Sequence, residues 1–78
     1  MIELKILGSG CAKCVKLAEN TEAAAKEVGL DYTVDKITDR NQIVDAGVMM
    51  TPALMVDGKV RSSGKVLTPE QIRALLTS

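Results

Sequence analysis

The chain has 78 residues, 46% of them apolar and 26% charged, which describes one soluble globular domain, residues 1–78, burying roughly 60% of its unfolded surface. With one Tyr, no Phe and no Trp, the core must be built from Leu, Ile, Val, Met and Ala. Ten basic residues balance ten acidic ones and no apolar run approaches a membrane span, so the composition argues against nucleic acid and membrane as partners.

Ile2, Leu4 and Ile6 alternate with Glu3 and Lys5, the period of a strand. The same interruption by charge argues against a signal peptide, and a cytoplasmic location is expected. Gly8-Ser9-Gly10 is a turn. From Cys11 or Ala12 to about Val28 the period becomes helical: Cys14, Leu17, Ala18, Thr21, Ala25 and Val28 share one face, and Gly29 is a left-handed cap. Tyr32 to about Ile37 reads as a second strand. Asp39 and Gln42 form a loose capping box before a short helix with Ile43, Val44 and Ala46, closed by Gly47. Ala53-Leu54-Met55-Val56 and Lys59-Val60-Arg61-Ser62 flank Asp57-Gly58, a strong hairpin signal. Thr68, Pro69 and Gln71 mark the start of a last helix. Leu67 and Ile72 are spaced as a hydrophobic staple, and Ile72, Leu75 and Leu76 make the buried stripe. No internal repeat, low-complexity tract or linker interrupts this β-α-β-α-β-β-α order. The first crossover is right-handed, so its two strands are parallel, and the hairpin adds antiparallel strands. One tension stands: a central strand covered on both faces is expected to be apolar throughout, yet the first carries Glu3 and Lys5. A short second helix that leaves part of that face open accounts for it.

The chemistry lies in Cys11-Ala12-Lys13-Cys14. Residues three apart in a helix lie about 5 Å apart at Cα, within the roughly 4.4–6.8 Å that a disulfide accepts. Such a pair exchanges dithiol for disulfide with little backbone movement. Cys11 follows the glycine turn and is expected to face solvent at the helix N-terminus, where unpaired N–H groups and the helix dipole stabilise a thiolate. Cys14 lies on the apolar stripe and is expected to be buried. Cys11 is therefore the candidate nucleophile and Cys14 the resolving thiol. Gly8 and Gly10 turn the chain from strand to helix, and Gly10 leaves room for a partner to approach Cys11. In a reducing compartment such a pair is catalytic or metal-binding rather than a staple, and a four-residue loop constrains the unfolded chain by only about 2 kcal/mol. Zinc needs about four ligands, and the chain has no His and no further Cys. Cu(I) needs fewer and softer ligands, with Met49 and Met50 at hand, so a soft-metal module remains an alternative.

Thr51-Pro52 precedes the third strand, where proline is tolerated. A CxxC at the first helix with Thr-Pro before a hairpin resembles the thioredoxin superfamily. Gly8-Ser9-Gly10-Cys11-Ala12-Lys13-Cys14, Met49-Met50-Thr51-Pro52-Ala53-Leu54 and Ser63-Gly64-Lys65 together resemble, more closely, the small redox-active disulfide proteins of prokaryotes. That resemblance covers essentially the whole chain. It implies an α/β thioredoxin-like fold, with a four-stranded mixed sheet of order 2-1-3-4 and helices on both faces. It also implies a cis Pro52 beside the cysteine pair, and a Thr51 that offers backbone hydrogen bonds to an extended substrate. The chain departs from thioredoxin's motif: Gly10 replaces the Trp before the first cysteine, and Ala12-Lys13 replaces Gly-Pro. It equally lacks the Pro and Tyr of glutaredoxin.

These readings converge on a thiol–disulfide oxidoreductase that exchanges two electrons through Cys11 and Cys14. Gly10, Met50, Thr51 and Pro52 form the substrate surface, and neither cofactor nor metal is required. The substrate is a protein disulfide or a small disulfide, the electron donor a reductase or a low-molecular-weight thiol, and the expected state a monomer. A redox sensor using the same thiols is the third reading. Met49 and Met50 either fill gaps in a phenylalanine-free core or line the partner surface. Lys13 is a solvated lysine or a thiolate's neighbour. Ser62-Ser63-Gly64 lies where glutaredoxin-like proteins approach glutathione, or Gly64 simply ends the fourth strand. Tyr32 is expected to pack at the second strand.

Overall fold

The computed structural model describes residues 2–10, 12–29 and 31–77. Its elements run β1 (Ile2–Leu7), α1 (Ala12–Val28), β2 (Tyr32–Ile37), α2 (Arg40–Asp45), β3 (Ala53–Val56), β4 (Lys59–Ser63) and α3 (Pro69–Thr77). The four strands form one sheet of order β2-β1-β3-β4. This is the thioredoxin-like α/β architecture expected. β1 pairs in parallel with β2, from Ile2 opposite Tyr32 to Leu7 opposite Ile37. On its other side it pairs antiparallel with β3, from Leu4 opposite Val56 to Leu7 opposite Ala53.

The alternation in β1 sorts its residues between two layers. Ile6 packs with Leu17, Ala18 and Ala24 of α1, Leu54 of β3 and Ile72 of α3 in the larger core cluster. Leu7 points the other way, into a smaller cluster with Ile43, Val48 and Ala53. Helices thus cover both faces, but unequally. The six-residue α2 covers only the Leu7 end of its face, leaving Glu3 exposed and Lys5 half-exposed. That asymmetry explains why a central strand carries charge.

Small side chains let α1 sit close to its neighbours. Ala18, Ala24 and Ala25 are buried, as is Thr21, whose hydroxyl donates to the Leu17 carbonyl at 2.7 Å and so is satisfied without leaving the helix. Ala24 belongs to this face although its spacing did not single it out. The Gly29 N–H donates to the Ala25 and Lys26 carbonyls, closing the helix. Asn20 Nδ2 donates to the Leu67 carbonyl at 2.9 Å, tying α1 to the approach of α3. That helix opens on a complete capping box: the Thr68 N–H donates to Gln71 Oε1 at 3.0 Å and the Gln71 N–H to Thr68 Oγ1 at 3.2 Å.

Local expectation and tertiary outcome part at two places. Asp39 caps α2, but its carboxylate accepts from the Asn41 N–H at 2.9 Å, one residue earlier than a capping box would place it. The hairpin turns at Asp57 and Gly58, both with positive φ (51° and 83°), the type I′ geometry that matches strand twist. Between Leu54 and Met55 its register shifts, so Leu54 faces Ser62 and Met55 faces Val60. Arg61 is the extra residue, a bulge on the edge strand.

Candidate functional site

Three chain segments meet at the end of the sheet where β1 finishes and β3 begins. β1 does not release the chain at Leu7: the Gly8 N–H donates to the Ile37 carbonyl at 2.9 Å, which carries the parallel pairing one residue further. The reversal into α1 falls at Gly10, whose φ is 84°. Of the two glycines expected to make the turn, only Gly10 has positive φ, and Gly8 does not. A Cβ built on Gly8 would overlap the Cys14 Sγ and stand 3.8 Å from the Pro52 Cα. The Cys14 sulfur therefore lies directly over the Gly8 α-carbon, on the side that faces Pro52.

Cys14 is 5% exposed and is the first buried residue of α1. Cys11 lies outside the described residues. Lys13 is exposed. Pro52 is buried and Thr51 exposed, and the peptide bond between them is cis. The Pro52 carbonyl accepts from the Gly64 N–H at 2.9 Å, so the end of β4 fastens the start of β3. Among the sequence-derived site residues, the structure brings Cys14 and Pro52 together through Gly8. Thr51 and Met50 follow on the exposed segment leading into Pro52, and Gly10 stands exposed at the turn.

Met49 and Met50 are not core fillers. They are 96% and 64% exposed, whereas Met55 packs against the smaller cluster. A Cβ on Gly64 would stand 3.1 Å from Met50 Cβ and 3.2 Å from Met50 Cε, so Met50 lies across Gly64. Gly64 follows the last residue of β4. Ser62 lines a groove between β4 and α3 with Arg61, Lys65 and Gln71, and its buried hydroxyl has no hydrogen-bond partner among the described residues. Tyr32 is half-buried at the start of β2.

Two hollows adjoin the site. A small apolar cavity of about 30 Å³ lies beside Cys14, lined by Gly8, Gly10, Val15, Lys36 and Thr38 among others. A larger groove of about 470 Å³ runs from Ser9 and Thr51 past Met49 to Val44 and Arg40 of α2. Among the described residues no carboxylate lines either hollow, while Lys36 and Arg40 do. Lys36 lines the hollow beside Cys14 and Arg40 the larger groove, both as exposed cations. A net charge of zero hides this, because it depends on which residues of β2 and α2 the fold turns toward the two hollows. Among the described residues no group of three or more His, Cys, Asp or Glu is placed to hold a metal ion, and no helix is long and apolar enough to cross a membrane.

The model of the thioredoxin domain family matches residues 2–77. The chain belongs to that family. The thioredoxin of Methanothermobacter thermautotrophicus is 39% identical over 77 residues, which cover 99% of this chain and 100% of that protein. The thioredoxin of Methanocaldococcus jannaschii is 36% identical over 78 residues, 100% of this chain and 90% of its own length. A probable thioredoxin of Methanothermobacter marburgensis is 37% identical over 57 residues, 69% of this chain and 67% of that protein. The matches to the first two thioredoxins span every element described above.

Proposed function

We propose that this protein is a cytoplasmic thiol–disulfide oxidoreductase in which Cys11 attacks a disulfide and Cys14 resolves the mixed disulfide that forms. The observation that carries the reading is the placement of the Cys14 sulfur. It is buried at the head of α1, three residues after Cys11, against Gly8 and on the side of Pro52. A resolving thiol has to be near its partner in the chain yet shielded from outside disulfides, and burial in the first turn of α1 serves both needs.

The exposed segment Met49-Met50-Thr51 suits an extended partner. Thr51 supplies backbone groups to a strand-like segment, and the thioethers of Met49 and Met50 supply adaptable apolar contact. The substrate is then a protein disulfide, with a small disulfide as the simpler case. A reductase or a low-molecular-weight thiol returns the electrons, and the protein acts as a monomer.

The test is reduction of a protein disulfide with a dithiol as electron source. Cys11→Ser is expected to lower turnover by about 100-fold or more. If that variant matches the wild type with every dithiol tried, the proposal is lost.

A further inference from the structure

Gly8 is buried, and its φ lies outside the left-handed region, so alanine would meet no backbone strain there. What forbids a side chain is the Cys14 sulfur, which occupies the place a Cβ would take. The Gly8 amide is fixed by the Ile37 carbonyl and the chain beyond it by α1, so the backbone has little room to yield. A methyl group at residue 8 must therefore displace the sulfur. The cavity lined by Gly8, Cys14 and Val15 is the adjacent space into which it can move.

We infer that Gly8 is a positioning residue for the resolving thiol: its missing side chain is the seat that holds the Cys14 sulfur in line for attack. This rests on the function proposed above. In the step concerned, the Cys11 sulfur is bonded to one sulfur of the substrate. The Cys14 thiol loses its proton to solvent and its sulfur attacks the Cys11 sulfur. The Cys11–Cys14 bond forms as the Cys11–substrate bond breaks. The electron pair leaves on the substrate sulfur, which takes a proton from solvent, so two electrons pass from the dithiol to the substrate. Bond formation at sulfur requires an aligned approach at close range, and a displacement of about 1 Å costs such a step on the order of 100-fold at most. Attack by Cys11 forms no bond to the Cys14 sulfur, so it is expected to slow far less than resolution.

A chromogenic aryl disulfide, added in stoichiometric amount to the reduced protein, separates the two steps. One aryl thiolate is released on attack and a second on resolution. Gly8→Ala is expected to keep the first phase and slow the second by about 10-fold or more. A second phase at the wild-type rate, or equal slowing of both phases, overturns the inference. The contact itself is tested by thermal melts in two backgrounds. Gly8→Ala is expected to lower Tm by about 4–8 °C or more in the Cys14 protein. In the Cys14→Ala protein, where the ordinary contacts with Cβ at 3.4 Å and with the Pro52 Cα at 3.8 Å remain, it is expected to have little effect. Equal losses in the two backgrounds overturn the inference even if Gly8→Ala alone is too unstable for kinetics. Cys14→Ser checks the underlying mechanism separately: it is expected to show no second phase, and a second phase at the wild-type rate would refute the resolving role itself.

Discussion

Two glycines at the site have nearly the same backbone and different surroundings. Gly10 and Gly64 have φ of 84° and 74°, where an L side chain costs roughly 1–2 kcal/mol. A Cβ on Gly10 would enter open space, whereas on Gly64 it would press against Met50 at 3.1–3.2 Å. Gly64→Ala is thus expected to lose more stability in urea denaturation than Gly10→Ala. Met50→Ala removes the Cε and Sδ contacts and narrows that gap. Equal losses for the two glycine variants would show that Met50 yields without cost. At this scale the sequence is legible where a residue's role follows from its own helix or strand. Burial of Cys14 is an example, since Leu17 and Ala18 follow it at helical spacing. The role of Gly8 was not legible. Gly-Ser-Gly before a helix reads as a turn, and only the landing of an α1 side chain on the end of β1 shows that one glycine is there to be covered.

The elements follow from local rules wherever their signals are complete. The capping box of α3 is such a case, with both reciprocal bonds formed. Thr68→Ala removes the acceptor for the Gln71 N–H and is expected to cost about 1 kcal/mol, lowering Tm by roughly 4–8 °C in a chain this short. Thr68→Asp, which keeps a capping oxygen, is expected to melt near the wild type. If alanine and aspartate melt alike, the cap contributes nothing. The second helix is shorter, and its cap rests on the bond from the Asn41 N–H to the Asp39 carboxylate. What the elements hid was their joinery. Asp57 reads as a turn residue and is one, but its N–H also donates to the Glu3 carbonyl at 2.9 Å, and its carboxylate accepts from the Glu3 N–H at 3.0 Å. That pair clamps the hairpin to the start of β1 across 54 residues of sequence. The bulge at Arg61 is likewise a product of sheet pairing, which no pattern along one strand can announce.

Across the whole molecule, the sheet divides the buried apolar residues into two clusters. The larger cluster lies under α1 and α3, and the smaller one under α2. The groove residues Met49 and Val44 belong to neither, at 96% and 64% exposure. Apolar side chains so exposed add little to folding, and their place on the groove from Ser9 and Thr51 to α2 suits them to cover a partner's apolar surface. Met49→Gln and Val44→Gln, made together, are therefore expected to leave Tm almost unchanged, since exposed substitutions stay within about 0.5 kcal/mol each. If the groove seats a protein substrate, the same pair is expected to raise KM for a protein disulfide by about 10-fold while leaving turnover of a small disulfide as it was. On the proposed function a small disulfide needs no contact with the groove, so its kinetics are expected to report the chemistry alone. A KM that rises equally for both substrates would mean that the substitutions disturb the cysteine turn, and an unchanged KM for both would mean that partners approach from another side.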